Sequence, residues 1–144
     1  EIITIQHGLN EKITQFSLLK HTLNKFNNID YLAGNAVMAE MAINEVSQLP
    51  KVHQPKILSH YLSHGVYRGI KRHKVLMANS DQMVLQGIMA IKQVVDYLQA
   101  VDINTKQGPK IITIDQTNIN KVSAELSLSP SNYKPVYSIN SKKE

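Results

Sequence analysis

Apolar residues recur at three- to four-residue steps along most of the chain, and that spacing predicts a mainly α fold with four helices. The first stripe runs through Ile13, Phe16, Leu19, Leu23 and Phe26, with Asn10 as its N-cap and Asn27-Asn28 as its end. A second runs from about Asp30 to Gln48 through Leu32, Ala36, Ala39, Ile43 and Val46 and stops at Leu49-Pro50. Pro55, suited to the first turn of a helix, opens a third through Ile57, Leu58, Tyr61, Leu62, Val66, Ile70, Val75 and Leu76. Asn79 or Ser80 caps the fourth, with Asp81 in its first turn. Its broad stripe of Val84, Leu85, Ile88, Ile91, Val94, Val95, Leu98 and Val101 reaches about Ile103. Helices three and four are expected to form a long antiparallel hairpin.

Period-two alternation appears twice, at residues 2–6 and 110–115, where Glu-Ile-Ile-Thr-Ile-Gln is repeated almost letter for letter as Lys-Ile-Ile-Thr-Ile-Asp. These segments predict a minor two-strand component. Two lone strands are marginally stable, so they must lie on the helices or recruit equivalents from other subunits. From Ser123 the composition shifts to Ser, Asn, Pro and Lys, which predicts a single helical domain over 1–122 and a flexible or partner-dependent tail over 123–144.

The absence of cysteine among 144 residues removes disulfides, thiol nucleophiles and thiolate metal sites. No run of about 18 apolar residues is present, and no basic region followed by an apolar one opens the chain. The expectation is a cytoplasmic protein without a membrane partner, starting at Glu1 because it was trimmed or belongs to something longer. No Gly-x-Ser-x-Gly elbow, paired carboxylates or phosphate loop occurs, so a non-enzymatic protein without a cofactor is expected.

The net charge of +5 matters less than its distribution. No acid lies between Glu45 and Asp81, while His60, His64, Arg68 and Arg72 follow one another at i, i+4, i+8 and i+12, flanked by Lys71 and Lys74. On one helix this row spans about 18 Å. Like charges at that spacing repel and invite an anionic partner. These six residues are the candidate nucleic-acid contacts, with an acidic protein as the alternative partner. His60 and His64 also have the one-turn spacing of zinc ligands, but the intervening Glu of zinc proteases is missing, so no metal site is expected.

The order of a helical hairpin ending near Ile103 followed by Gly108-Pro109-Lys-Ile-Ile-Thr-Ile-Asp-Gln-Thr-Asn-Ile119 resembles phage small terminase subunits. That resemblance implies a ring-forming homo-oligomer that binds viral DNA during packaging in a bacterial host. The segment from Asn10 to Gln48 lacks a helix-turn-helix, so phosphate contact falls to Arg68, Arg72 and their neighbours.

Overall fold

The computed structural model describes residues 1–101 and 107–136. Its elements alternate: α1 (Lys12–Lys25), β1 (Tyr31–Gly34), α2 (Ala36–Ser47), β2 (Lys56–Ser59), α3 (His64–Lys71), β3 (Met77–Ser80), α4 (Met83–Leu98) and β4 (Ile112–Asp115). Short 3-10 turns lie at Lys51–His53 and Ala124–Leu126.

The strands form one four-stranded sheet in the order β1-β2-β3-β4. β1, β2 and β3 are parallel, with Leu32 opposite Ile57 and Ser59 opposite Ala78. β4 runs antiparallel to β3, with Ala78 opposite Ile114. Parallel neighbours need a crossover, and α2 and α3 supply it. α2 packs on β1 and β2, α3 packs on β3, and the two helices touch, so both cover the same face of the sheet. Leu32, Ile57, Ala78 and Ile114 point into that face and are buried with Ala39, Ala42, Val66, Ile70 and Val75. On the opposite face Tyr31, Ala33 and Thr113 are exposed and Leu58, Met77 and Asn79 half-buried.

The expected four-helix body is therefore corrected to an α/β unit. The third helical stripe is three elements in succession, β2, α3 and the start of β3, and the hairpin of helices three and four does not exist. Ser63 ends the supposed stripe locally: it sits in extended backbone and its side chain accepts from the Val66 N–H, which starts α3. In the second stripe Asn35 does the same through the Met38 N–H at 2.7 Å, leaving Tyr31–Gly34 as a strand. β4 lies inside the expected strand segment 110–115 but belongs to the main sheet. Residues 2–6 carry no strand, and Ile2, Ile3 and Ile5 are exposed.

Small residues set the spacing of the helical layer. A Cβ on Gly69 would stand 2.8 Å from a Val75 methyl and 2.9 Å from the Ile43 terminal methyl, so α3 can approach α2 and β3 this closely only with glycine there. At the end of α3 the His73 N–H donates to the Ile70 carbonyl and the Lys74 N–H to the Gly69 carbonyl. This is a Schellman motif with His73 in the left-handed position, at φ 56°. A non-glycine residue there costs roughly 1 kcal/mol. His73→Gly is expected to raise unfolding free energy by about 1 kcal/mol in urea titration, because glycine adopts the same turn without that cost.

α4 departs from the expectation of a buried stripe. None of its residues is buried, and Ile88, Ile91, Val94 and Leu98 are more than half exposed. Within the segment expected as a tail, Ser127 and Leu128 are buried and the Ser80 hydroxyl donates to the Ser127 hydroxyl at 2.7 Å. Residues 131–136 are exposed, and residues 137–144 lie outside the described residues.

After β4 the chain turns on Asp115. Its Oδ1 accepts from the Thr117 hydroxyl at 2.6 Å and the Thr117 N–H at 2.7 Å, and these bonds hold the carboxyl below its ordinary value of 3.8. A depressed folded value contributes stability above pH 3.8 that is lost as pH falls through the lower folded value. Asp115→Asn is expected to flatten that acid limb of the stability curve, measured by urea unfolding at a series of acidic pH values.

Candidate functional site

In an open sheet of parallel strands, the loops leaving the carboxyl ends are the ones free to gather around a ligand. Here those loops begin at Asn35, His60 and Asp81, and they are tied to one another. The His60 N–H donates to the Gly34 carbonyl at 2.9 Å, joining the second loop to the first. The Tyr61 hydroxyl donates to the Met83 sulfur, joining the second to the third. Ser63, at the head of α3, donates to the Glu40 carboxylate on α2. Ser59 accepts from the Tyr61 N–H at 3.4 Å and donates to the Tyr61 carbonyl at 2.7 Å, which fixes the turn between β2 and Tyr61.

The third loop carries backbone strain. Gln82 has φ 55°, ψ 57°, a left-handed conformation at the first position before α4. Three bonds hold it there: the Ser80 hydroxyl accepts its N–H at 3.0 Å, its side chain donates to the Lys110 carbonyl at 2.8 Å, and its carbonyl accepts the Gln86 N–H at 2.9 Å. Strain that the surroundings over-determine is concentrated at functional positions. Beside it, the Tyr61 phenol is raised from its ordinary value of 10.0 by burial first and by the Asp81 carboxylate second. Tyr61 is therefore a neutral donor next to an anion throughout the physiological range.

The carboxyl ends thus form a polar ledge of Asn35, His60, Tyr61, Asp81 and Gln82, onto which the amino-terminal ends of α2, α3 and α4 open. The ledge is a surface rather than an enclosed cavity; two hollows, each of about 350 Å³, lie instead at the amino ends of the strands. Location at the carboxyl ends, linkage of three loops and strain at Gln82 favour the ledge as the site for a small ligand.

The six basic candidates do not form one row. His60 lies in the loop after β2, on the ledge. His64 opens α3 and its Nε2 donates to the Ser129 carbonyl at 2.9 Å. Arg68 and Lys71 follow on α3, exposed, with the Lys71 ammonium 4.9 Å from the Tyr67 ring centre. Arg72 caps the helix and Lys74 belongs to the turn before β3, at the opposite end of the sheet from His60. A row from His60 to Arg72 needs one helix of 13 residues, and α3 has 8 residues. Among the described residues no group of three or more His, Asp or Glu is placed to hold a metal. The ledge residues Asn35, Asp81 and Gln82 are not among the sequence candidates, and Tyr61 reads in the sequence only as a nucleic-acid contact or core residue; the helix-capping role of Asn35 and the Asn79-Ser80-Asp81 break before α4 are the available signals.

This arrangement, a parallel α/β unit with polar loops at the carboxyl ends of its strands, is the architecture of solute-binding proteins of ABC transporters. One from Bradyrhizobium sp. BTAi1, solved with bound Bis-Tris, superposes with a TM-score of 0.84 at 36% identity, covering 92% of this chain and 40% of that one. Another relative is TorT. The chain is 39% identical over 136 residues to the periplasmic protein TorT of Escherichia coli K12, a match that takes in 94% of this chain and 39% of TorT. The complex of TorT with the TorS sensor domain, solved in the presence of TMAO, gives a TM-score of 0.82 at 40% identity over 90% of this chain and 43% of that one. No family model matches the chain. It spans about two fifths of the length of the relatives it matches.

These similarities overturn the resemblance to small terminase subunits, and with it viral DNA packaging and nucleic-acid binding. The apparent match rested on a helical hairpin that the chain lacks. The expected cytoplasmic location is corrected as well, since TorT is periplasmic. The expected nucleic-acid partner and homo-oligomer are not shown; TorT was solved in complex with a different protein, the TorS sensor domain. The Bradyrhizobium relative is a solute-binding protein. Among the described residues no helix is long and apolar enough to cross a membrane.

Proposed function

We propose that this chain is the ligand-contacting part of a periplasmic, non-enzymatic binding protein for a small polar solute, held on the ledge of Asn35, His60, Tyr61, Asp81 and Gln82. The observation that carries this reading is the left-handed Gln82 beside Asp81, pinned by three hydrogen bonds at the carboxyl end of β3. Neutral Tyr61 and anionic Asp81 together suit a solute with a donor or a positive centre and an acceptor. The amino ends of α2, α3 and α4 add positive potential for an oxygen of the same solute. The similarity to TorT, whose complex was solved with TMAO, makes TMAO the first solute to try, and the similarity to the Bradyrhizobium protein adds Bis-Tris.

Calorimetric titration of the chain with TMAO, Bis-Tris and a neutral hexose tests the reading. Saturable binding of one of them, with a matching rise in melting temperature, is expected. Absence of saturation with all three overturns it.

A further inference from the structure

We propose that the groove at the amino ends of β1, β2 and β3, away from the ledge, docks a protein partner through an extended segment that carries carboxylates beside apolar side chains. The two hollows of about 350 Å³ each adjoin there, because Gln54 and Lys56 line both. Three adjacent strand ends span roughly 10 Å, the reach of about three extended residues.

The lining mixes exposed apolar side chains with basic ones. Tyr31 is 55% exposed, Val52 86% and Leu76 41%, and all three lie along the same groove. Around them stand His53, Lys56, His73 and Lys74. Lys56 lies with its ammonium 5.5 Å from the Tyr31 ring centre, which sets a cation against one of the exposed apolar groups. The Schellman turn at His73 projects Lys74 from the end of α3.

This basic group has no ion-pair partner among the described residues. It falls inside the acid-free stretch between Glu45 and Asp81, and Asp30 is the one acidic residue lining either hollow. Among the described residues the ion pairs are Lys20 with Glu45 and Lys92 with Asp96, and neither uses a groove cation. Exposed apolar side chains interleaved with unpaired cations suit a protein interface, and the charge selects an acidic partner. Of the six residues first read as a basic row, Lys74 lines this groove. The proposal is independent of the solute reading, since the groove and the ledge sit at opposite ends of the strands.

The test uses a fluorescent peptide of alternating Glu and Leu, read by anisotropy against the whole chain. Binding is expected, weakening about tenfold or more in the double variant Lys56→Glu, Lys74→Glu and several-fold in Val52→Ser, Leu76→Ser. Circular dichroism should be unchanged in both, because all four side chains are exposed. Asp81→Asn should leave peptide binding as it was. The proposal is overturned if the alternating peptide does not bind or binds both double variants equally. It is also overturned if an all-Glu peptide or a short DNA duplex binds as well as the alternating one, since the groove would then be a polyanion surface. Solute titration of the parent chain separates the two readings: a peptide that fails to bind a chain whose solute binding is intact refutes the groove alone.

Discussion

Ile57→Ala is expected to lower the unfolding free energy by about 2–5 kcal/mol, the cost of emptying a fully packed aliphatic site. Ile57 is 2% exposed and sits in β2, which has strands on both sides, with Leu32 opposite it in β1. Its carbonyl also accepts the Leu76 N–H at 2.8 Å, so the residue joins β2 to the start of β3 through its backbone while its side chain fills the layer beneath α2 and α3. A cavity here cannot be closed by one neighbour moving, because the flanking strands are held in register by their own hydrogen bonds. The loss is read from urea unfolding followed by circular dichroism. Were the chain a helical bundle with Ile57 near a helix end, truncation would cost much less, so a loss below about 1 kcal/mol would contradict the packing described.

Asp81→Asn is expected to weaken solute binding about tenfold or more while leaving stability within about 0.5 kcal/mol of the parent. The substitution keeps the size of the side chain and removes its charge. Asp81 is half-buried at the ledge, its carbonyl accepts from the Gln86 side chain at 3.0 Å, and that backbone bond survives the change. The charge itself is felt by Tyr61, whose phenol the carboxylate helps to raise. Asparagine should therefore bring the phenol down part of the way, a shift visible in the ultraviolet titration of Tyr61 and independent of any solute. Equal affinity in parent and variant would remove Asp81 from the site.

The helices were largely legible in the sequence and the sheet was not. α1 and α4 lie within their apolar stripes, and α2 occupies the carboxyl-terminal two thirds of its own. The strands β1, β2 and β3 have four residues each and are covered on one face, so each contributes two inward residues, such as Ile57 with Ser59 or Ala78 with Ser80. Two inward residues cannot establish a period of two, and flanked by Pro55 and Leu62 they blend into a helical count. The decisive local signals were polar: Asn35 and Ser63, each capping a new helix, interrupt the stripes at the points where strand gives way to helix. Three short apolar runs alternating with capped helices are the pattern of crossover units.

The chemistry was legible in composition and misread in arrangement. The uncompensated basic stretch exists, and its residues are exposed. Once the supposed helix becomes strand, helix and strand, His60 goes to one end of the sheet and Lys74 to the other. The apolar stripe of α4 was legible too, yet it faces outward in this chain, with Ile91 69% and Leu98 76% exposed. Periodicity reports that a face is apolar; it does not report which surface covers it.

The most direct test of the central claim is the map of backbone amide shifts on adding TMAO to the isotopically labelled chain. The account predicts saturable shifts concentrated at residues 35–38, 60–63 and 80–83, where the three loops meet at the carboxyl ends of the parallel strands. Shifts confined to the amino ends of the strands around Lys56 and Lys74, or spread evenly without saturation, would contradict a solute site on the ledge.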